Sequence, residues 1–218
     1  MLFDSYTISF CPGSSGRLIH TVLYNMIMGN DIVFNFTENN DAHDTNVEMS
    51  MAVEDIHATN IFQIITFNDN IAKILHTHRF PDIDIIRERF KYKMGIIVIT
   101  IKPTDLPEIV YNSFLKNKKI ELTESTVRTI AKLKIKQWED FIDISSLSGQ
   151  SDVLILEYSK LFDLYEGEYT TLKKIEQFTG LRCTSGLTKS FENYTMGRKK
   201  LIDFKMPWLY ELQQNLDK

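Results

Sequence analysis

The residues best suited to chemistry lie in three short stretches of the chain. In the first, Cys11-Pro12-Gly13-Ser14-Ser15-Gly16-Arg17, two glycines let the backbone approach a ligand closely and two serines add hydroxyl donors. A helix that follows such a turn offers free N–H groups and the positive end of its dipole to an anion. Arg17 in a first helical turn is unfavourable against that dipole, and becomes tolerable when a phosphate or sulfate lies between them. A plain strand–turn–helix with a surface arginine accounts for the same residues without a ligand. The loop lacks both the G-x-x-x-x-G-K-[ST] spacing and the lysine of a Walker A loop, which counts against an ATPase or kinase.

The second stretch, Ile74-Leu75-His76-Thr77-His78-Arg79, sets two imidazoles on one side of an extended segment. A neutral imidazole there can take a proton from an attacking hydroxyl; a partly exposed loop histidine is the plainer account of either residue. A metal site would have to recruit His43, His57 and nearby aspartates, yet no metal-type spacing links them, and no metal is expected. The third stretch ends an apolar run with Lys102-Pro103-Thr104-Asp105 and leads to Ser113, so that Lys102 and Ser113 could contact a second phosphate. A strand-ending lysine that reaches solvent is the simpler account of Lys102. Arg128, Lys132 and Lys136 read as a solvated helix face, and Gly197-Arg198-Lys199-Lys200 is a charge run that reads either way.

The elements that must position these residues follow from apolar periodicity. Residues 6–11 and 95–102 read as buried strands, and 152–158 as a third. Residues 16–28 repeat apolar side chains at i, i+4 (Leu18, Val22, Met26; Ile19, Leu23, Ile27) and read as a helix stopped by Gly29-Asn30. A turn and helix are expected at 103–117, a long amphipathic helix at 123–144, and a helix at 169–181 closed by Gly180. Residues 31–36 and 61–67 read as short strands or buried turns, and 37–50 as a polar loop. Strands alternating with helices predict an α/β fold, three layers deep, around a mostly parallel sheet. Ligands on such sheets lie beyond the carboxyl ends of the strands, where all three stretches fall.

Bulk properties bound the partners. The 218 residues are 43% hydrophobic and 25% charged, enough for a single domain spanning 1–218 with a real core. A net charge of −4 argues against a nucleic-acid binder held by phosphate neutralisation. Two cysteines, Cys11 and Cys183, suggest neither a disulfide framework nor a metal site. No basic n-region precedes an apolar core, and no apolar run approaches the roughly 20 residues of a membrane helix. The expectation is a cytoplasmic protein without membrane or nucleic-acid partners, and the sequons at Asn35 and Asn193 are read as chance.

In their order along the chain, these stretches resemble the sulfotransferases that use 3′-phosphoadenosine 5′-phosphosulfate (PAPS), with a P-loop NTPase-like fold. That family opens with a strand, a Pro-x-Ser-Gly-Thr-type loop and a helix; FCPGSSGRLI is similar but one residue longer, with Gly13 where a basic residue is frequent and Arg17 near a usual Thr or Ser. LHTHRFPD is similar to the family's Lys-Thr-His element, with His78 at the place of the base and His76 replacing the lysine. TIKPTDLPEIVYNSF follows the outline of its Arg-Asn-Pro-x-Asp strand end, although Ile101 stands where the arginine is expected and Ser113 comes about one helical turn late. LILEYSKLF matches the frame of its last strand without the Glu-Asp pair, and LKKIEQFTGL, TKSFENY and GRKK echo later elements. The resemblance spans residues 6 to 200 and rests on the order of the motifs.

It implies sulfuryl transfer from PAPS to a hydroxyl or amine of a small-molecule, glycan or peptide acceptor, leaving 3′-phosphoadenosine 5′-phosphate (PAP) as product. His78 would act as base, with Arg17 assisting at the departing phosphate. Gly13, Ser14, Ser15, Gly16, Arg17, Leu18, Lys102, Ser113, Arg198 and Lys199 would bind the nucleotide. The polar loop, with Asp41, His43, Asp44, Glu48 and Glu54, could shape the acceptor site. An inactive relative that only binds, or another phosphate-handling transferase of nucleotide-kinase type, are the alternatives.

Overall fold

The computed structural model describes residues 2–33, 50–52, 74–89, 93–114, 122–144, 147 and 149–215. The expectations for 37–50 and 61–67, together with Asn35, Asp41, His43, Asp44, Glu48, Glu54 and His57, lie almost wholly outside them.

The first strand, β1 (Ser5–Ser9), is buried along its whole length, because it is the middle of a sheet covered on both sides. A five-stranded sheet runs in the order β2-β3-β1-β4-β5, with β2 at Ser50–Ala52, β3 at Ile74–Thr77, β4 at Met94–Thr100 and β5 at Val153–Glu157. All four pairings are parallel; Tyr6 faces Ile74 on one side and Gly95 on the other. Helices flank this sheet in a three-layer α/β/α arrangement. They are α1 (Gly16–Met28), α2 (Ile83–Arg89), α3 (Leu106–Phe114), α4 (Glu124–Gln137), α5 (Glu139–Ile142), α6 (Thr170–Thr179), α7 (Ser185–Lys205) and α8 (Leu209–Gln214). A short hairpin, β6 (Leu164–Tyr165) and β7 (Glu168–Tyr169), precedes α6. The core joins Ile8, Ile19, Val22, Leu23, Ile96–Ile99, Ile109, Leu156 and Phe191. No helix among the described residues is long and apolar enough to cross a membrane.

The strand order sets where a ligand can enter. After β1 the chain crosses through α1 toward β2, whereas after β4 it crosses through α3 toward β5 on the opposite side. The reversal opens a crevice between the carboxyl ends of β1 and β4.

Two elements depart from the periodicity. The single helix expected over 123–144 breaks at Trp138, whose backbone (φ −117°, ψ 25°) separates α4 from α5. The break lets both Trp138 and Phe141 turn into the core, at 7% and 3% exposure. Residues 185–205, read only as motif fragments, form the longest helix described. Its inward stripe mixes Leu187, Phe191 and Ile202 with Ser190, Tyr194 and Arg198, which blurs the apolar repeat. Its N-terminus is closed by Thr184, whose hydroxyl accepts from the Leu187 N–H, and by Asp31, which accepts from the Gly186 N–H at 2.6 Å.

Candidate functional site

The loop 11–17 is shaped by two residues with positive φ. Gly13 (φ 87°) lies so close to α3 that an added Cβ would stand 2.3 Å from the Ile109 carbonyl oxygen. Ser15 (φ 62°) is the N-cap of α1 in a left-handed conformation, which costs a non-glycine residue about 1–2 kcal/mol. Left-handed Ser15 followed by helical Gly16 turns successive N–H groups toward a common point. No side chain caps α1, and its first turn contains no acidic residue. Gly16 is required for a second reason: a Cβ there would stand 2.0 Å from the Phe10 ring.

The serines have separate roles. Ser14 is buried and donates its hydroxyl to the Cys11 carbonyl at 2.7 Å, as its backbone N–H also does at 3.0 Å. Ser15 Oγ lies 3.3 Å from the Tyr194 hydroxyl of α7. Leu18 is in the core at 1% exposure, so what it offers a ligand is backbone. Ser113, on α3, shares its hydroxyl proton between the Pro12 carbonyl at 2.5 Å and the Ile109 carbonyl at 2.8 Å. It therefore braces the loop and closes its α3 side.

The other side of the loop faces the end of β3. Phe10 N–H donates to the Thr77 carbonyl at 3.1 Å, Ser9 Oγ donates to the Arg79 carbonyl, and Arg79 N–H donates to Thr77 Oγ1. His78 Nδ1 lies 3.1 Å from the Phe10 carbonyl oxygen, and the rings of His78 and Phe10 meet edge to face at 4.7 Å. A carbonyl only accepts, so Nδ1 carries the proton of this hydrogen bond and Nε2 is left for a second partner. His78 is exposed, on the rim of the loop.

Beneath the rim is a residue that spacing alone did not single out. His20 lies on α1 one turn beyond Gly16 and Arg17, 3% exposed, its ring 5.0 Å from that of His76. Burial, His76 and Arg17 pull His20 down to about 3, while burial, Arg17 and His78 pull His76 down to about 4. Burial also lowers Arg17 itself. The sequence offers only a polar ring at i+3 from Arg17 on an otherwise apolar helix face, with nothing to place His76 beside it.

Above about pH 6.5 both rings are neutral folded or unfolded, and stability is fully retained. As pH falls from there toward about 4, the unfolded chain binds protons that the native state refuses. Stability should then drop by up to about 1.4 kcal/mol per pH unit for each ring. Urea unfolding across this range should give a smaller slope for His20→Gln than for the wild type; equal slopes would contradict the burial of His20.

Across the crevice, Lys102 lies just beyond β4 with its ammonium 3.2 Å from Glu157, at an exposed position, while Ile101 is buried at 3% exposure. Burial raises the Asp105 carboxyl, which accepts from the Lys102 N–H at 2.7 Å. Arg198 is engaged in a fork with Glu108, Nε to Oε1 at 2.5 Å and Nη2 to Oε2 at 2.6 Å, and lies 4.5 Å over the Phe162 ring. Lys199 is exposed on the next position of α7. Arg128 pairs with Glu124 one turn earlier, as expected of a solvated face. Burial pushes both thiols up, Cys183 to about 12, so neither is a nucleophile at neutral pH. The structure thus gathers Gly13–Arg17, His76 and His78 at one place, adds His20 and Tyr194, and sets Lys102 just beyond the facing strand. No group of three or more potential metal ligands occurs among the described residues. No protein-family model and no curated protein matches the chain.

Proposed function

We propose that the chain is a sulfuryl transferase that takes PAPS as donor and a hydroxyl or amine as acceptor. The observation that carries this reading is the His78–Phe10 hydrogen bond. It orients the imidazole with Nδ1 turned to the loop, which leaves Nε2 to meet an acceptor at the rim of an uncapped, anion-suited helix start. His78 Nε2 takes the acceptor's proton as its oxygen or nitrogen bonds to sulfur. The bound donor supplies the activated sulfuryl group, and the bridging S–O bond breaks toward the 5′-phosphate. Ser15 and Gly16 N–H groups and Arg17 face the charge that develops on that phosphate, where preorganised donors count most. Lys199, and Lys102 once it leaves its exposed pair with Glu157, are the side chains suited to a 3′-phosphate, since Ser113 and Arg198 are engaged within the fold.

That engagement is also the observation favouring the second reading, a relative that binds such a nucleotide without turning it over. Thermal shift decides the ligand class. PAP at about 100 times its dissociation constant should add about 2.7 kcal/mol of stability, and ATP with Mg²⁺ should add much less. Stabilisation by ATP with Mg²⁺ alone would overturn the proposal in favour of a kinase-type transferase. A response to PAP without transfer to any phenol or amine acceptor would leave the binding protein.

A further inference from the structure

Two buried ring nitrogens in this region, His20 Nε2 and His76 Nδ1, have no hydrogen-bond partner among the described residues. Native proteins rarely leave buried polar atoms unsatisfied, so an orphaned pair side by side calls for a physical account. The two rings are 5.0 Å apart, and His76 also stacks against Phe10, the ring on which Gly16 closes. The pair therefore lies under the first turn of α1, beside Arg17. A divalent cation between the imidazoles is disfavoured by that guanidinium.

The charged and titratable groups acting on the pair are Arg17 from α1 and His78 from the end of β3. From β1, the neighbours are Phe10 and, opposite His76 in register, Ile8; from β2, Ala52 is opposite His76. Among the described residues, none of the groups acting on either ring is a carboxylate. Among the described residues, the fixed charge acting on the pair is thus that of Arg17. An opposite charge within about 4–6 Å favours the charged form of a titratable group by about 10- to 1000-fold.

We propose that His20 and His76 form the inner half of the anion site and take up a proton when a phosphate or phosphosulfate group occupies the loop. This inference rests on the reading of residues 13–17 as an anion loop. The proton comes from solvent to one ring nitrogen, and the imidazolium so formed donates to the anion alongside Arg17. Selectivity follows: multiply charged phosphoryl and sulfuryl groups are favoured over carboxylates, and binding strengthens as pH falls from about 7 toward 5.

The test is calorimetric titration with adenosine 5′-phosphosulfate, whose phosphosulfate has no proton to exchange near neutral pH. It is run at about pH 6 in MES and in bis-Tris, which differ in ionisation enthalpy. The wild type should show a buffer-dependent heat corresponding to uptake of a substantial fraction of one proton. The double variant His20→Gln/His76→Gln should bind about tenfold more weakly, with no buffer dependence. Imidazole ¹⁵N shifts of the wild type provide a readout independent of the variant's folding and should show one ring becoming doubly protonated on binding. Binding without proton uptake, or uptake retained in the double variant, overturns the inference and leaves the anion loop standing. No binding of this probe or of PAP overturns both.

Discussion

His78→Ala should lower kcat/KM for sulfuryl transfer to a simple phenol by about 10²–10⁴, the usual worth of a positioned general base, while PAP binding stays within about twofold. The two effects separate because His78 is outside the anion cradle. Its Nδ1 is held by the Phe10 carbonyl and its ring edge by Phe10, whereas the groups proposed to face the phosphate belong to Ser15, Gly16 and Arg17. The side chain is exposed, so its removal leaves no cavity and the fold should be preserved. Exposure also makes chemical rescue possible: added imidazole should restore part of the lost rate, which a purely structural role would not permit. Full activity in the alanine variant would remove His78 from the mechanism.

Glu108→Ala should cost about 3–5 kcal/mol of stability, measured by urea denaturation. Glu108 is 2% exposed and accepts both arms of the Arg198 guanidinium. Truncating the carboxylate strands a largely buried cation, and an unpaired buried charge is far more costly than the net worth of the pair. The double replacement Glu108→Leu/Arg198→Met should recover most of the loss, since apolar residues of similar volume often replace such a pair at little cost. A loss below about 1 kcal/mol in the single variant would mean that Arg198 finds water when its partner is removed. Because the pair joins α7 to α3, the same variant should also loosen PAP binding.

The fold was legible wherever one residue type dominated a segment. The apolar runs at β1, β4 and β5, the i, i+4 stripe of α1 and the glycine stop at Gly29 all appear where periodicity placed them. Periodicity failed where buried residues are polar: Arg198 and Ser190 face inward on α7, so the helix does not show a continuous apolar stripe. At the site, the turn chemistry of residues 12–17 was readable because glycine and serine carry local conformational meaning. His20 was not, because a histidine within an apolar helix face reveals its surroundings only when the third dimension brings His76 beside it. The engagement of Ser113 was equally hidden, for nothing in the sequence shows that Gly13 lets α3 come within bonding distance of the loop.

One consequence of the long helix remains. Tyr194 touches Ser15 on the β1 side of the crevice, and Arg198 grips Glu108 on the β4 side. These two contacts are four residues apart on α7, about 6 Å along its axis. A single rod therefore sets the gauge between the loop 11–17 and α3, in the manner of a caliper with fixed jaws. Its far end is anchored by the Asp31 carboxylate, immediately after α1. Any ligand that enters must match an opening already set, and one that spreads it must shift the 21 residues of α7.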